Sequence, residues 1–336
     1  MSILSSLHAV VAGRNLTEAE AESTLAVILE GGSTPPQIAA FLTAMRMKGE
    51  TAAELTGFAR AMRRFAAPFD HGIAGTVVDT CGTGGDGPDT FNISTIAAFV
   101  VAAAGVQVAK HGNRSISSKC GSADVLEALG VRIDLSPEEA ARALHELGIA
   151  FLFAPAYHGA TRHVQAVRRE LKMRTVFNLL GPLANPAGAN VQVVGTTSEH
   201  NAGLIAEALC RLDLRRGFVV YGRDGLDEVT TTTETVAFEI ANGDVEQRIL
   251  QPEDFGLPRA RIENLTGGLA SENCDIARRI LNGERGPARD IVLANAALAL
   301  FATEKARSLL DAVSLAAEMI DTGRAKQKLD QLAAFA

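Results

Sequence analysis

The stretch TVVDTCGTGGDGPDTFNISTIAAFVVAAAGVQVAKHGNRSISSKCGSADVLEALG, residues 76–130, decides the fold of this chain. A short apolar strand, Thr76–Asp79, precedes a glycine-rich loop and an apolar helix that begins near Ser94. A second strand, Val106–Ala109, precedes a second polar loop and a helix that ends near Leu129. Strands that alternate with helices at this spacing predict a mostly parallel α/β sheet that binds ligands at the C-terminal ends of its strands.

The remainder of the chain predicts a second, helical domain. Apolar residues three and four apart indicate helices from the start of the chain, and Thr17 with Glu20 has the spacing of a capping box. We therefore expect a small all-helical domain over residues 1–70, joined by helices from about 157–180. An α/β domain over residues 71–336 would complete the architecture.

Two polar loops in the α/β part carry the functional signal. The first loop, Gly82–Asp86, contains three glycines, and the second loop, Lys110–Ser118, contains two cations and three serines. Glycines let the backbone approach a ligand, and amides at helix N-termini bind phosphate. Two such loops at neighbouring strand ends predict a ligand with phosphate at more than one position. We expect the donors of both loops to lack partners within the chain, which would leave the ligand-free loops mobile.

Each loop also has a simpler interpretation. The first loop has neither the Lys-Ser/Thr ending of a P-loop nor the glycine spacing of a dinucleotide fold. A tight turn before a helix is the alternative, but a turn does not require three glycines followed by Ser94 and Thr95. In the second loop, Lys110 and Arg114 are either solvated cations or anion ligands, and their place at a strand end favours anion binding. His111 stays open between a proton carrier, a donor to the ligand and a structural histidine.

Further candidate ligands lie later in the chain. Asp227 and Glu228 follow a predicted strand that ends at Tyr221, and are either solvated acids or oxygen ligands for Mg²⁺. One arginine of a cluster can pair with a substrate carboxylate, but the spacing does not select among Arg162, Arg168, Arg169 and Arg174.

Charge and cysteine content limit the classes of partner. The 336 residues include 32 basic and 39 acidic side chains, and the net charge of −7 gives no long-range attraction to nucleic acid or an anionic membrane. The four cysteines lie far apart without a CxxC pair, which argues against a zinc site and a disulfide framework. The N-terminus lacks signal-peptide features, so we predict a cytoplasmic protein.

Several motifs together resemble those of the anthranilate phosphoribosyltransferase family. They are DTCGTGGDG at 79–87, TFNIST at 90–95, KHGNRSISS at 110–118, GSAD at 121–124, RTVFNLLGPLANP at 174–186 and GLDE at 225–228. The resemblance implies a helical domain hinged to an α/β domain of the nucleoside phosphorylase/phosphoribosyltransferase type, and a homodimer through the helical domains. It also implies transfer of phosphoribose from 5-phosphoribosyl 1-diphosphate to the amino group of anthranilate, in tryptophan biosynthesis.

The resemblance further implies particular site residues. It places the diphosphate substrate on Gly82, Gly85, Asp86, Thr90, Asn92, Ile93, Ser94, Thr95, Lys110, His111, Gly112, Asn113, Arg114, Ser115, Ile116, Ser117, Ser118 and Ser122. It places anthranilate on Gly82, Asn113 and Arg168, with Arg168 as the carboxylate partner. Magnesium, two ions per subunit that bridge the diphosphate, falls on Ser94, Asp227 and Glu228. No general base is assigned, because an aryl amine is already unprotonated at neutral pH.

Two positions depart from the family pattern, and two other functions are alternatives. Gly159–Arg162 replaces the usual Pro-Ala-Met-Lys beside the anthranilate channel, and Tyr221 stands where histidine is common. A nucleoside phosphorylase of related fold would need no carboxylate pair for a metal. A non-enzymatic nucleic-acid-binding relative would need a basic face and degraded phosphate loops, which the acidic charge and intact loops disfavour.

Overall fold

The computed structural model describes residues 2–85, 89–115 and 119–335, and its first part is helical as predicted. The four helices are α1 Ile3–Val11, α2 Glu18–Leu29, α3 Pro35–Lys48 and α4 Ala52–Arg64. The predicted capping box is present, because the Thr17 hydroxyl accepts from the Glu20 amide while the Glu20 carboxylate accepts from the Thr17 amide. Two orphan donors at the start of α2 are satisfied in this way.

Over the described ranges, the central sheet has seven strands. They are β1 Val77–Asp79, β2 Gln107–Gly112, β3 Ile149–Phe153, β4 Val191–Gly195, β5 Arg216–Gly222, β6 Thr235–Ala241 and β7 Asp244–Leu250. Their order is β3-β2-β1-β4-β5-β6-β7, with β1 to β5 parallel and β6 and β7 antiparallel. The predicted mostly parallel α/β fold is therefore confirmed. The chain reverses at the end of β5, and the loop 223–234 joins β5 to β6 as a hairpin connection.

Helices cover both faces of the sheet. They are α5 Ile93–Ala103, α6 Ser122–Ala128, α7 Pro137–Leu147, α8 Ala154–Tyr157, α9 Arg162–Leu171, α10 Phe177–Leu180, α11 Glu199–Arg211, α12 Ala270–Leu281, α13 Pro287–Ala302, α14 Leu309–Asp321 and α15 Arg324–Ala333. Short 3₁₀ turns lie at Gly159–Thr161, Pro182–Ala184, Pro252–Phe255 and Ile262–Leu265. Within the described residues, no helix is both long and apolar enough to cross a membrane.

Alternate residues of the central strands face two different hydrophobic cores. On β4, Val193 packs into a core with α5 and α13, whereas Val194 packs into a second core that contains α11 and α1 to α4. The period-two alternation of a strand explains this division. Helix α9 lies against α2 and α3, with Val164 and Val167 buried in the second core. The segment that follows β3 is thus packed on the N-terminal helices.

Strand β2 is longer than the sequence indicated. The predicted strand ended at Ala109, but pairing with β3 continues through His111 with Leu152 and Gly112 with Phe153. Lys110, His111 and Gly112 therefore lie in the strand and not in a loop, and that prediction was wrong. Polar and glycine residues have low strand propensity, and the hydrogen-bonded ladder with β3 overrides it. A Cβ at Gly112 would lie 2.6 Å from the Phe151 ring, so only glycine fits there without a shift.

Candidate active site

The candidate site lies in the crevice between β1 and β4, where the strand order reverses. Ligands of open α/β sheets bind at such switch points. Gly82, after β1, forms a parallel bridge with Gly195 at the end of β4, and the Thr83 amide donates to the Gly195 carbonyl at 2.8 Å. A Cβ on Gly195 would fall 1.6 Å from the Asp227 carbonyl oxygen, and one on Gly82 would fall 2.8 Å from Asp227 Oδ2. These two glycines let the Asp227 loop close onto the first loop.

The two predicted metal carboxylates meet the elements after β1. The Gly84 amide donates to Asp227 Oδ2 at 2.9 Å, and the Ser94 amide, near the start of α5, donates to Glu228 Oε1 at 3.1 Å. Both acids and Ser94 are half-buried. Residues more than 130 positions apart in the chain are thus brought together as the sequence indicated. Charge-assisted amide bonds fix the direction of both carboxylates.

This donor set fits magnesium. Mg²⁺ keeps several waters and binds through one or two carboxylates together with substrate phosphates, and not through an all-protein cage. Asp227, Glu228 and the Ser94 hydroxyl supply hard oxygen donors of that kind. Among the described residues, no group of three or more histidine, cysteine, aspartate or glutamate side chains forms a metal cluster. An ion held here would therefore need substrate oxygens to complete its coordination.

Two residues that sequence reasoning did not single out hold the carboxylate loop. Asp224 Oδ2 accepts from the Thr230 hydroxyl at 2.5 Å and also from the Thr232 hydroxyl, closing the loop across its base. Asn295, buried on α13, accepts from the Val229 amide and donates to the Val229 carbonyl, both at 2.9 Å. The peptide next to Glu228 is thereby clamped to a core helix. The available signal in the sequence for this contact was Asp224, six residues before the threonine run 230–233.

Lys110 lies beneath the carboxylates and not on the surface. Only 4 % of the residue is exposed, and its Nζ donates to the Thr80 carbonyl at 2.6 Å and lies 3.4 Å from the Ser94 hydroxyl. Burial lowers the pKa of Lys110, and the nearby Asp79 carboxylate opposes that shift. This cation can compensate negative charge at Ser94 and the acids without leaving the protein interior.

Asp79 joins the ends of β1 and β2. One oxygen accepts from the His111 amide at 3.2 Å and the other from Asn185 Nδ2 at 2.8 Å. The same Asn185 nitrogen also donates to the Ala109 carbonyl at 2.9 Å. Burial raises the pKa of the Asp79 carboxyl, while Lys110 opposes the shift. Both oxygens of the buried Asp79 carboxylate are thus paired, as is usual for buried polar groups.

His111 and His158 form a buried pair behind the crevice. Their ring centroids are 5.2 Å apart in an edge-to-face arrangement, and each residue is 6 % exposed. His111 Nδ1 lies 3.2 Å from the Gly181 carbonyl, which makes Nδ1 the protonated nitrogen of a neutral ring. Burial and the neighbouring His158 lower the pKa of His111 to about 3. Burial likewise lowers the pKa of His158 to about 4, against a weak opposing effect of the Ala184 backbone.

The second loop differs from the expectation of donors without internal partners. Arg114 is exposed, and its guanidinium pairs with Asp124 at 2.9 Å and with Glu127 at 2.7 Å, both from α6. The Ser115 amide donates to Asp124 at 3.1 Å, and the Ser122 hydroxyl donates to the Asn113 carbonyl at 3.2 Å. Within the described residues the expectation was wrong for several backbone amides, because those of Thr83 and Gly84 bond to Gly195 and Asp227. The buried Thr83 hydroxyl, by contrast, has no internal partner among the residues described, as expected.

The remaining predicted residues fall into three groups. Asp86, Ile116, Ser117 and Ser118 lie outside the described residues. Ile93 and Thr95 are buried at the start of α5, and Thr90 forms a bridge with Thr266. The Asn92 side chain donates to the Cys120 carbonyl at 3.1 Å and accepts from Asn273 at 3.0 Å, so it ties α5 to the C-terminal helices.

The arginine cluster is separated by its contacts. The guanidinium of Arg168 lies 5.2 Å from the centre of the Phe177 ring, and burial lowers its pKa. No acidic side chain pairs with Arg168 within the described part of the chain. Arg174 instead donates to the Gly84 carbonyl at 3.1 Å and the Gly85 carbonyl at 3.4 Å. Arg162 and Arg169 are exposed.

Fold and site together define a two-domain glycosyl transferase. Residues 5–66 match the helical bundle domain of the glycosyl transferase family, and residues 74–326 match its a/b domain. The sequence is similar to anthranilate phosphoribosyltransferase of Solibacter usitatus, with 56% identity over 100% of this chain and 99% of that protein. The chain belongs to the anthranilate phosphoribosyltransferase family, which confirms the predicted activity over the two alternatives.

Solved structures agree with that assignment. The crystal structure of the Thermus thermophilus anthranilate phosphoribosyltransferase has a TM-score of 0.93 and 44% identity, covering 98% of each chain. The Saccharomyces cerevisiae enzyme in complex with PRPP and Mg has a TM-score of 0.90 and 27% identity, covering 98% of this chain and 96% of that one. The same yeast enzyme is also known in complex with 4-fluoroanthranilate. Magnesium is thus supported as the metal of the family.

Proposed function

We propose that the crevice transfers phosphoribose from 5-phosphoribosyl 1-diphosphate to the amino nitrogen of anthranilate, a step of tryptophan biosynthesis. The observation that carries the proposal is the clamp of Asp227 and Glu228 by the Gly84 and Ser94 amides. Buried Lys110 lies next to Ser94 at the same point. The geometry presents two fixed acids, a buried cation and helix-terminal amides to one ligand, as binding of a magnesium diphosphate requires.

The reaction follows from where charge develops. The bond between the anomeric carbon and the diphosphate oxygen breaks, the amine nitrogen bonds to that carbon, and the nitrogen loses a proton. Two magnesium ions, held by Ser94, Asp227 and Glu228, would neutralise charge on the leaving diphosphate when bound. Lys110 and the amides of the first loop would stabilise the same charge electrostatically. The aryl amine needs no strong base, because it is already unprotonated at neutral pH.

The proposed acceptor position rests on Arg168 together with Gly82 and Asn113. An arginine without an acidic partner among the described residues, half-buried against Phe177, is suited to a planar carboxylate. We assign the diphosphate substrate to the two loops and to residues beside them, including Gly85 in the first loop, His111 on β2 and Ser122 on α6. Proximity of the two substrates would supply much of the rate enhancement.

We also propose a cytoplasmic homodimer formed through the helical domain of residues 1–70, joined by the segment 157–180. Leu4 and Val11 on α1 and Met47 on α3 are exposed apolar side chains, and these two helices pack against each other. A second copy of the chain would cover them. All four cysteines are free thiols, as in proteins of a reducing compartment.

One assay tests the proposed reaction. Protein, anthranilate, 5-phosphoribosyl 1-diphosphate and Mg²⁺ are mixed, and the loss of anthranilate fluorescence is followed. We expect loss that requires both the diphosphate substrate and Mg²⁺, and that stops in excess chelator. Phosphorolysis of a nucleoside without Mg²⁺, in place of anthranilate consumption, would refute the proposal in favour of a nucleoside phosphorylase.

A further inference from the structure

Arg174 connects two parts of the molecule that the proposed reaction uses separately. It lies between α9, which carries Arg168, and α10, which carries Phe177. Its guanidinium donates to the carbonyls of Gly84 and Gly85 in the first loop. Val176 and Phe177, which follow Arg174, are buried in the second core. The backbone that carries Arg174 is therefore anchored next to the first loop.

The contact constrains the direction of peptide groups in the first loop. Gly84 and Gly85 have φ of +66° and +81°, in the left-handed region that glycine adopts without steric cost. Because glycine is also the most flexible residue, it does not by itself fix the direction of its peptide groups. In a trans peptide the carbonyl and the following amide point in opposite directions. Holding the Gly84 carbonyl toward Arg174 therefore turns the Gly85 amide away from it.

The opposite side of Gly84 is held by a metal carboxylate. Its amide donates to Asp227 Oδ2 at 2.9 Å, so this one residue is bonded to Arg174 through its carbonyl and to Asp227 through its nitrogen. The chain of contacts runs from the segment of Arg168, through Arg174 and Gly84, to Asp227.

We propose that Arg174 is a positioning residue: it fixes the first loop against Asp227 and links the diphosphate half of the site to the segment that carries Arg168. The functional part of this inference rests on the proposed reaction, whereas the contact itself does not. An arginine fork matches the two convergent carbonyls, while a lysine ammonium at this position reaches one of them well.

Hydrogen exchange of the ligand-free protein tests the contact directly. The peptide that covers residues 80–85 reports on the Gly84 amide. We expect exchange there to be several-fold faster in Arg174→Ala, intermediate in Arg174→Lys, and unchanged in Arg169→Ala, an exposed neighbour on α9 that bonds to no described residue of either loop. Exchange at the wild-type rate in Arg174→Ala would overturn the inference.

Kinetics test the consequence for the reaction. In Arg174→Ala we expect the KM for the diphosphate substrate and the half-saturating Mg²⁺ concentration to rise about tenfold, as for two charge-assisted hydrogen bonds in a partly hydrated site. The KM for anthranilate should stay within about twofold, since Arg168 is untouched, and Arg174→Lys should restore part of the loss. Equal rises in both KM values would overturn the positioning role. If Arg174→Ala exchanges faster while its fold stays intact, but the wild-type protein consumes no anthranilate, the contact is supported and the proposed reaction is refuted.

Discussion

The first and second loops both follow neighbouring strands of the sheet but are held in different ways. The first loop is fixed by distant partners, with its amides bonded to Gly195 and Asp227 and its carbonyls to Arg174. The second loop is fixed by its own neighbours, since Arg114 pairs with Asp124 and Glu127 ten and thirteen residues further on. The geometry of the first loop therefore depends on the assembled fold. Arg114 of the second loop, by contrast, must leave its carboxylate partners before it can bind an anion.

The largest effect should come from removing charge under the first loop. We expect Asp227→Asn to lower kcat by about 10²- to 10³-fold while the protein stays folded, because the amide keeps the contact to Gly84 but not the metal charge. Steady-state kinetics with circular dichroism checks this, with Glu234→Gln at the far end of the same loop as control. Near-wild-type turnover by Asp227→Asn, or by the wild type in excess chelator, would contradict the metal assignment.

A substitution outside both loops should affect the binding of anthranilate and leave the binding of the diphosphate substrate to the loops unchanged. Arg168→Ala should raise the KM for anthranilate about ten- to a hundredfold, because a charge-assisted bidentate contact is worth roughly 1.5–3 kcal/mol. The KM for the diphosphate substrate should stay nearly constant. If that second constant rises instead, Arg168 belongs to the diphosphate half of the site.

Dependence of the first loop on distant partners predicts a stability cost at Gly195. A Cβ there meets the Asp227 backbone, so we expect Gly195→Ala to lower the free energy of unfolding by about 3 kcal/mol. Denaturant unfolding measures it. The matched control is Gly159→Ala, where a Cβ meets nothing within 4 Å and the change should stay within about 0.5 kcal/mol. Equal effects at both glycines would show that the Asp227 loop is free to move away.

The buried pair of His111, at the C-terminal end of β2, and His158, after α8, predicts a pH dependence of stability. Both pKa values are depressed by burial, to about 3 for His111 and about 4 for His158, so the unfolded chain binds protons that the folded chain does not. Stability should be full above about pH 6.5 and fall as the pH drops toward 4, each histidine contributing up to about 1.4 kcal/mol per pH unit. Unfolding free energies at several pH values check the slope. His158→Asn should flatten it, and an unchanged slope would exclude this histidine as a cause.

The smallest effect should come from freeing the cation of the second loop. Glu127→Gln removes one partner of Arg114, and we expect the KM for the diphosphate substrate to fall about two- to fivefold with little change in stability, since exposed ion pairs contribute little to it. Glu146→Gln, exposed on α7, is the control. A KM that is unchanged or higher would mean that Arg114 acts only within its own ion pairs.

Local signals made the elements and the acidic pair predictable from the sequence. Residues close together in the sequence are enough to recognise the capping box at Thr17 and the polar residues after each strand. They are also enough to predict that Asp227 and Glu228 follow the end of a strand. Parallel strands bring their C-terminal ends to one edge, so the pattern placed the acidic pair near the two polar loops, and the family resemblance added Ser94 to them.

Long-range contacts explain what the sequence could not indicate. Continuation of β2 through Gly112 depends on pairing with β3, and the role of Arg174 depends on two carbonyls about ninety positions earlier. Arg114 was expected to contact an anion, but its partners on α6 are visible only once helix geometry brings Asp124 and Glu127 to one side.

The hairpin that carries Asp227 and Glu228 moves on a much slower timescale than the Arg174 contact to the first loop. Strands β5 and β6 pair along seven residue positions on either side of the loop, and the Arg223 amide donates to the Glu234 carbonyl at its mouth. Parting the two ends requires opening a central ladder, a rare event close to global unfolding. A solvent-exposed arginine contact such as that of Arg174 rearranges in nanoseconds to microseconds. Over one turnover the carboxylates are therefore stationary, whereas the Arg174 contact can break and re-form many times.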